Sequence, residues 1–306
     1  MSKLYDVILL DERIFCDLLF TGLTRLPALG EEQLAQQLTV TPGGIFNTAL
    51  ALKRLGVKVG LAVEVGQDFF SQFIDEVILN EGMDTRLIRR HPGDLAAVTV
   101  AASVGEDRAF LSYVQPVAMP PVQPADWQGV TARHLHVGGL VAASSQLEAL
   151  AWAKANGWTL SADCQSFAEQ TDWRKLWAVF EQVDYFLPNA QEAMALTGAA
   201  TVELAARQLG QDIPHVIIKW GAQGAVAFSQ GNLLHSPGLK VTPLDTTAAG
   251  DCFNAGFLLG LLNGHPLAEC LYYGNIVGGL STQGPGATRA PTYAELLGYV
   301  KKELAQ

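Results

Sequence analysis

Cysteine is scarce in this chain. Four occur in 306 residues, Cys16, Cys164, Cys252 and Cys270, far apart and with no C-x-x-C pair. That excludes a disulfide scaffold or a thiolate metal centre and leaves buried free thiols as the expectation. Positive charge is also short, with 20 Lys and Arg against 30 Asp and Glu and a formal net charge of −10. A chain so acidic, without a basic run, lacks the phosphate-neutralising surface that nucleic-acid binding draws on, and anionic membranes repel it. Long apolar runs are missing too. The richest stretch, FNAGFLLGLL at 253–262, falls well short of the roughly 20 residues a membrane-spanning helix needs. An acidic residue pair breaks MSKLYDVILLDERIF where a signal peptide would continue its apolar core. Neither GxxxxGK[ST] nor GxGxxG occurs, so two common phosphate-cradling schemes are excluded. His134 and His136 alternate on one face of a strand, with no acidic or thiol ligand at metal-like spacing. What is present is apolar: 49% of residues, against 16% charged. That composition predicts a large buried core in a soluble, cytoplasmic protein.

Apolar runs alternate with amphipathic stretches almost throughout. YDVILL (5–10), VKVGLAVEV (57–65), HLHVGG (134–139), WTLSAD (158–163), DYFLP (184–188) and HVIIKW (215–220) read as buried strands. Helices are expected between them at 44–55, 67–81, 145–156, 173–181, 189–197 and 201–210. Three more are expected in the C-terminal third, at 248–263, 266–283 and 292–304. This alternation predicts an α/β fold, a central mostly parallel sheet with helices on both faces. Two stretches, 11–41 and 86–115, instead show half-polar alternation around polar loops and read as antiparallel hairpins. They predict a small β-sheet beside one large domain spanning 1–306.

Three segments carry residues suited to chemistry. In VTPLDTTAAGDCFNAGFLLGLL (241–262), the small residues Ala248, Ala249 and Gly250 open a long apolar helix. Its first N–H groups and its dipole favour an anion, and Asp251 lies in the first turn, able to accept a proton from an attacking alcohol. An ordinary capped helix would also read this way. In TPGGIFNTALALKRLG (41–56), Gly43 and Gly44 allow close backbone approach, and Asn47 offers a donor and an acceptor to hydroxyls. A plain glycine turn is the alternative. In PNAQEA (188–193), Asn189 and Glu192 share one side of a helix start. Oxygen donors with retained waters suit Mg²⁺, although a capped, solvated helix gives the same pattern.

Together these segments resemble the PfkB/ribokinase family of sugar kinases. DTTAAGD (245–251) is similar to its C-terminal signature, which implies Asp251 as catalytic base and Gly250, Ala249 and Ala248 as anion-hole backbone. TPGGIFNTALALKRLG resembles its N-terminal signature, and PNAQEA its N-x-x-E, whose Glu helps hold Mg²⁺ through water. IIKWGAQGAV (217–226) is similar to the segment covering the nucleotide, with Lys219, Gly221 and Gly224 in matching places beside Asn189. The resemblance further implies that Asp17, with Gly43, Gly44 and Asn47, binds substrate hydroxyls and that Asn275 lies near the adenine. Asp245 and Thr247 would be ligands of a candidate K⁺ ion. Asp11 stands where a glycine is usual, and the Gly-Pro-Gly at 284–286 breaks the usual spacing of the remaining ion ligands.

The fold so implied is ribokinase-like with a β-sheet lid, and the activity is ATP-dependent phosphorylation of a hydroxyl on a small sugar or sugar derivative. The alternatives are a nucleoside or phosphosugar kinase, or a non-catalytic sugar- or nucleotide-binding regulatory protein on the same fold. Arg25, Arg89, Arg90 and Arg108 lie in or near the lid, where they could meet a substrate phosphate or serve as solvated surface charge. Edge strands with this much apolar surface imply a homodimer through the lid.

Overall fold

A computed structural model describes residues 3–105, 107–165 and 173–304. The chain begins with β1 (Lys3–Arg13), β2 (Cys16–Leu23), β3 (Gln37–Pro42), α1 (Ile45–Arg54), β4 (Val59–Val65), α2 (Phe69–Asn80) and β5 (Arg89–Arg90). Next come β6 (Ala97–Val104), β7 (Asp107–Val114), β8 (Val130–Val137), α3 (Leu140–Ser145), α4 (Leu147–Ala155), β9 (Thr159–Asp163) and α5 (Trp173–Phe180). The remainder is β10 (Tyr185–Leu187), α6 (Ala190–Thr197), α7 (Val202–Leu209), β11 (His215–Lys219), β12 (Ala225–Ser229), β13 (Asn232–Ser236), α8 (Ala249–Leu262), α9 (Leu267–Ser281) and α10 (Tyr293–Leu304).

Nine of these strands form one sheet in the order β13-β12-β11-β10-β9-β8-β1-β4-β5. All six expected strands run parallel to one another, and only β12 is reversed, pairing antiparallel with β11 on one side and β13 on the other. The period-2 pattern splits the core into two layers. Val7 and Leu9 of β1 face α1, α8 and α9, whereas Ile8 and Leu10 face Trp127 and the helices after β8. Both faces are therefore covered, as continuous apolar strands require. The four cysteines are buried free thiols, and no described helix is long and apolar enough to cross a membrane.

The second sheet has the order β3-β2-β6-β7. Each hairpin is antiparallel, and the two join through a parallel pairing of β2 with β6, from Cys16↔Val98 to Phe20↔Ala102. The stretches expected for this sheet, about 11–41 and 86–115, begin with residues that belong to the main sheet. Arg13 still pairs with Glu64 in the main sheet, and Arg89–Arg90 add an edge to it beside Glu64 and Val65. The small sheet thus starts only at Cys16 and Ala97.

Candidate active site

Five elements converge at the C-terminal edge of the main sheet, where parallel α/β folds place their ligands. β9 and β11 end there, β2 leaves for the small sheet, and α1 and α8 begin. The approach to α1 is tight. A side-chain carbon on Gly43 would lie 1.9 Å from Asp17 Oδ2, so glycine is required for that carboxylate to lie along the backbone. Gly44 has φ 59° and ψ −135°, a conformation glycine adopts at little cost. It starts α1 without a side-chain cap, and Asn47 lies buried in the first turn. Burial raises the Asp17 carboxyl to about 7.

The start of α8 is unusual. Ala248 precedes it in a left-handed conformation, φ 63° and ψ 3°, which costs a non-glycine residue on the order of 1–3 kcal/mol. The turn directs the first amides outward. Ala249 N donates back to Thr246 O over 3.2 Å, so this amide of the expected anion hole is already engaged. The N–H groups of Gly250 and Asp251 have no acceptor among the described residues. They are the free donors of a helix N-terminus, where anions are favoured.

Asp251 is held on both sides by α1. Asn47 Nδ2 donates to Oδ2 at 3.2 Å, and Thr48 Oγ1 lies 3.4 Å from Oδ1. Burial is the main force raising its carboxyl to about 7, with Asp163 and Asp17 adding to the rise and Lys219 and Asn47 opposing it. A carboxylate poised near neutral pH suits a general base.

Beside it stands Lys219, a residue the sequence already points to, with two partners that sequence reasoning missed, Asp163 and Asn254. Lys219 Nζ donates to Asp163 Oδ2 at 2.7 Å and to Asn254 Oδ1 at 3.2 Å, while Asn254 Nδ2 donates to Asp163 Oδ2 at 2.6 Å. The triangle joins β9, β11 and α8. Burial alone would lower the Lys219 ammonium, but Asp163, Glu192 and Asp251 together raise it, so it stays charged. The available signals were an aspartate closing an apolar strand and a lone amide inside an apolar helix.

Asn189 and Glu192 form a reciprocal cap on α6. Asn189 N donates to Glu192 Oε2 at 2.8 Å, and Glu192 N donates to Asn189 Oδ1 at 2.9 Å. Asn189 also bridges to Lys219 in register, which sets Glu192 near the triangle. Burial and Asp163 raise its carboxyl. Among the described residues no cluster of three His, Cys, Asp or Glu side chains could grip a metal directly. The donor set fits an ion held through water by Glu192, whose other oxygen the cap leaves free.

Gly221 and Gly224, with φ of 55° and 94°, turn β11 into β12. A side-chain carbon on Gly224 would lie 2.1 Å from Ser236 O. Asn275 Nδ2 donates to Ser236 O, Ser236 Oγ and Pro237 O at 2.9–3.1 Å, which fixes the same corner. Asp245 is buried, and each of its carboxylate oxygens accepts a backbone N–H at 2.9 Å, one from Thr247 and one from Gly286. From the small sheet, Arg108 reaches across to Thr246 Oγ1. Arg25 pairs with Glu31, Arg89 with Glu64 and Arg90 with Asp75. Asp11, whose Oδ1 accepts Glu12 N, packs its carboxylate where a side chain on Gly138 would stand.

The pattern of the pfkB family carbohydrate kinases matches residues 6–293. Fructokinase of Vibrio alginolyticus is 30% identical over 85% of this chain and 91% of its own length. Cytidine kinase of Thermococcus kodakarensis is 28% identical over 78% of this chain and 86% of its own. A structure of a fructokinase from Vibrio cholerae O395 with fructose, ADP and potassium ion bound superposes with a TM-score of 0.77 at 25% identity. It covers 98% of this chain and 99% of that one.

Proposed function

The chain belongs to the pfkB family of carbohydrate kinases, and on that premise we propose that it transfers the γ-phosphoryl group of ATP to a hydroxyl of a small sugar or sugar derivative. The observation that carries this reading is Asp251, a buried carboxyl at about 7 beside two free helix amides.

Asp17, Gly43, Gly44 and Asn47 orient the sugar. Asp251 takes the proton from the acceptor hydroxyl as its oxygen approaches phosphorus. The amides of Gly250 and Asp251 meet the charge on the phosphoryl group, and the strained turn at Ala248 and Ala249 holds them in place. Such a reaction asks for positioning and electrostatics rather than covalent catalysis. Asn189, Gly221, Gly224 and Asn275 shape the nucleotide side. When bound, Mg²⁺ neutralises phosphate charge, and Glu192 would hold it through water. Asp245 and Thr247 flank the anion-hole turn as candidate K⁺ ligands. The small sheet acts as a lid that excludes water from the reacting groups, and its exposed apolar face pairs with that of a second copy in a homodimer. The protein works in the cytoplasm.

A coupled assay of ADP release tests the reading against pentoses, hexoses, sugar acids, phosphosugars and nucleosides. Turnover with one sugar class supports it. Turnover with nucleosides alone moves the substrate class, and binding without turnover makes the protein a non-catalytic sensor.

A further inference from the structure

Lys219 holds its charge in an unusual place. Its ammonium lies 3.6 Å from the position a side-chain carbon on Gly250 would take, which puts it against the first turn of α8, beside the free amides. Its side chain is only 11% exposed and that of Asp163 only 10%. An ammonium has three N–H donors. Two are spent, on Asp163 Oδ2 and Asn254 Oδ1, and the third has no acceptor among the described residues. Asp163 is fixed in turn. Its Oδ1 accepts the Cys164 N–H at 2.6 Å, and its Oδ2 also accepts from Asn254.

Such a group is costly if it serves the fold alone. Buried ion pairs repay their desolvation poorly, and apolar residues of similar volume often replace them without loss. Nothing in the packing of β9 against β11 needs the pair, because β10 lies between them. A charge kept at that cost, with one donor unspent and a helix N-terminus alongside, is arranged for an anion that arrives from outside.

We propose that Lys219 is a catalytic residue whose free N–H binds the phosphoryl group in flight, and that Asp163 and Asn254 are positioning residues that aim it. This rests on the kinase reading above and assigns the cation of its anion hole. As the bond between phosphorus and the sugar oxygen forms, the bond to the bridging oxygen of ADP breaks. The hydroxyl proton passes to Asp251, and Lys219 gains and loses none. Its charge answers the negative charge on the peripheral oxygens, which are closest to it during transfer.

The test compares Lys219→Met, Lys219→Arg and the double variant Asp163→Asn/Lys219→Met, each against wild-type turnover of whichever sugar the panel identifies. If the wild type turns over nothing, the kinase reading fails before this one is reached. Lys219→Met should lower kcat by about 10²–10³-fold, the usual cost of one donor to a developing anion, with the sugar KM little changed. Because it strands Asp163 in the interior, it should also lower Tm. The double variant removes the carboxylate that Lys219→Met strands and should recover part of the lost Tm while kcat stays low. Lys219→Arg, which keeps the charge, should recover part of kcat. A double variant that regains both Tm and kcat would overturn the proposal and leave a structural ion pair. Equal losses in kcat/KM carried wholly by KM would overturn it as well.

Discussion

Asn47 and Asp251, 204 residues apart, meet at 3.2 Å where α1 and α8 begin. Each helix opens without a side-chain cap, and at α8 the amides of Gly250 and Asp251 are left without an acceptor among the described residues. The side-chain amide of Asn47 joins the start of α1 to the Asp251 carboxyl. Its hydrogen bond holds the Asp251 carboxyl lower than burial alone would.

Asp251→Asn should lower kcat at least a hundredfold, since general-base catalysis contributes about 10²–10⁴-fold. The fold should not suffer. A carboxyl whose folded pKa lies above its unfolded value stabilises the protein fully only below the unfolded pKa. That contribution is lost as pH rises through about 7. Above pH 7 the wild type therefore carries an unfavourable buried charge that Asn lacks. Thermal melts at pH 8 should show Asp251→Asn at least as stable as wild type. A clear loss of Tm with retained kcat would mark Asp251 as structural.

The same values set a pH profile. Turnover needs ionised Asp251, so kcat/KM should rise with pH through an acid limb near 7. Asn47→Ala removes a group that lowers that carboxyl and should move the limb to higher pH. Steady-state rates between pH 5 and 9 would reveal the shift. An unmoved limb in the variant would separate Asn47 from the base.

Gly250 and Gly43 should respond differently to alanine. At Gly250 the added carbon meets only Lys219, at an ordinary contact distance of 3.6 Å. Alanine also favours a helix by roughly 0.5–1 kcal/mol. Gly250→Ala should thus melt no lower than wild type yet turn over more slowly, because the methyl group stands where phosphate oxygens approach. At Gly43 the added carbon lies 1.9 Å from the Asp17 carboxylate, so Gly43→Ala must displace Asp17 and should raise the sugar KM. Calorimetry that finds nucleotide affinity and kcat unchanged in Gly250→Ala removes the anion hole.

Local signals made half of this site readable. Small residues before an apolar helix mark an open N-terminus, so Asp251 and Gly250 stand out, as do the paired glycines before Asn47. Asp163 and Asn254 carry no such mark. They are 91 residues apart in the chain, and only the order β9-β10-β11 under α8 brings them to Lys219. In the fold, the six apolar strands were legible because burial on both faces demands continuous Val, Ile and Leu. The boundary at Arg13 was not, because a buried arginine paired beside Glu64 reads as a polar loop. β13 is a half-exposed edge strand of five residues and lacks an apolar run.

Assembly is tested through the small sheet. Leu38, Leu111 and Tyr113 share one face of that sheet by register and are all more than half exposed, Leu111 at 75%, apolar surface that a monomer would leave open to water. Light scattering at micromolar concentration should give twice the chain mass. Leu111→Lys should shift it to the monomer, since a charge buried in the contact would be unpaired. A wild-type monomer under these conditions removes the homodimer.

Potassium dependence turns on Asp245. The amides of Thr247 and Gly286 already satisfy one lone pair on each of its oxygens, so its carboxylate ties the turn before α8 to the segment around Gly286. Each oxygen keeps further acceptor capacity, and Thr247 adds a hydroxyl next to it. A bound K⁺ would occupy that capacity and stiffen the turn that carries Ala248, Gly250 and Asp251. Activity at fixed ionic strength in potassium, sodium and tetramethylammonium salts should favour potassium several-fold. Asp245→Asn should abolish the preference, because an amide oxygen offers the ion a dipole in place of a charge. Equal rates in all three salts would reduce Asp245 to a backbone brace between the anion-hole turn and Gly286.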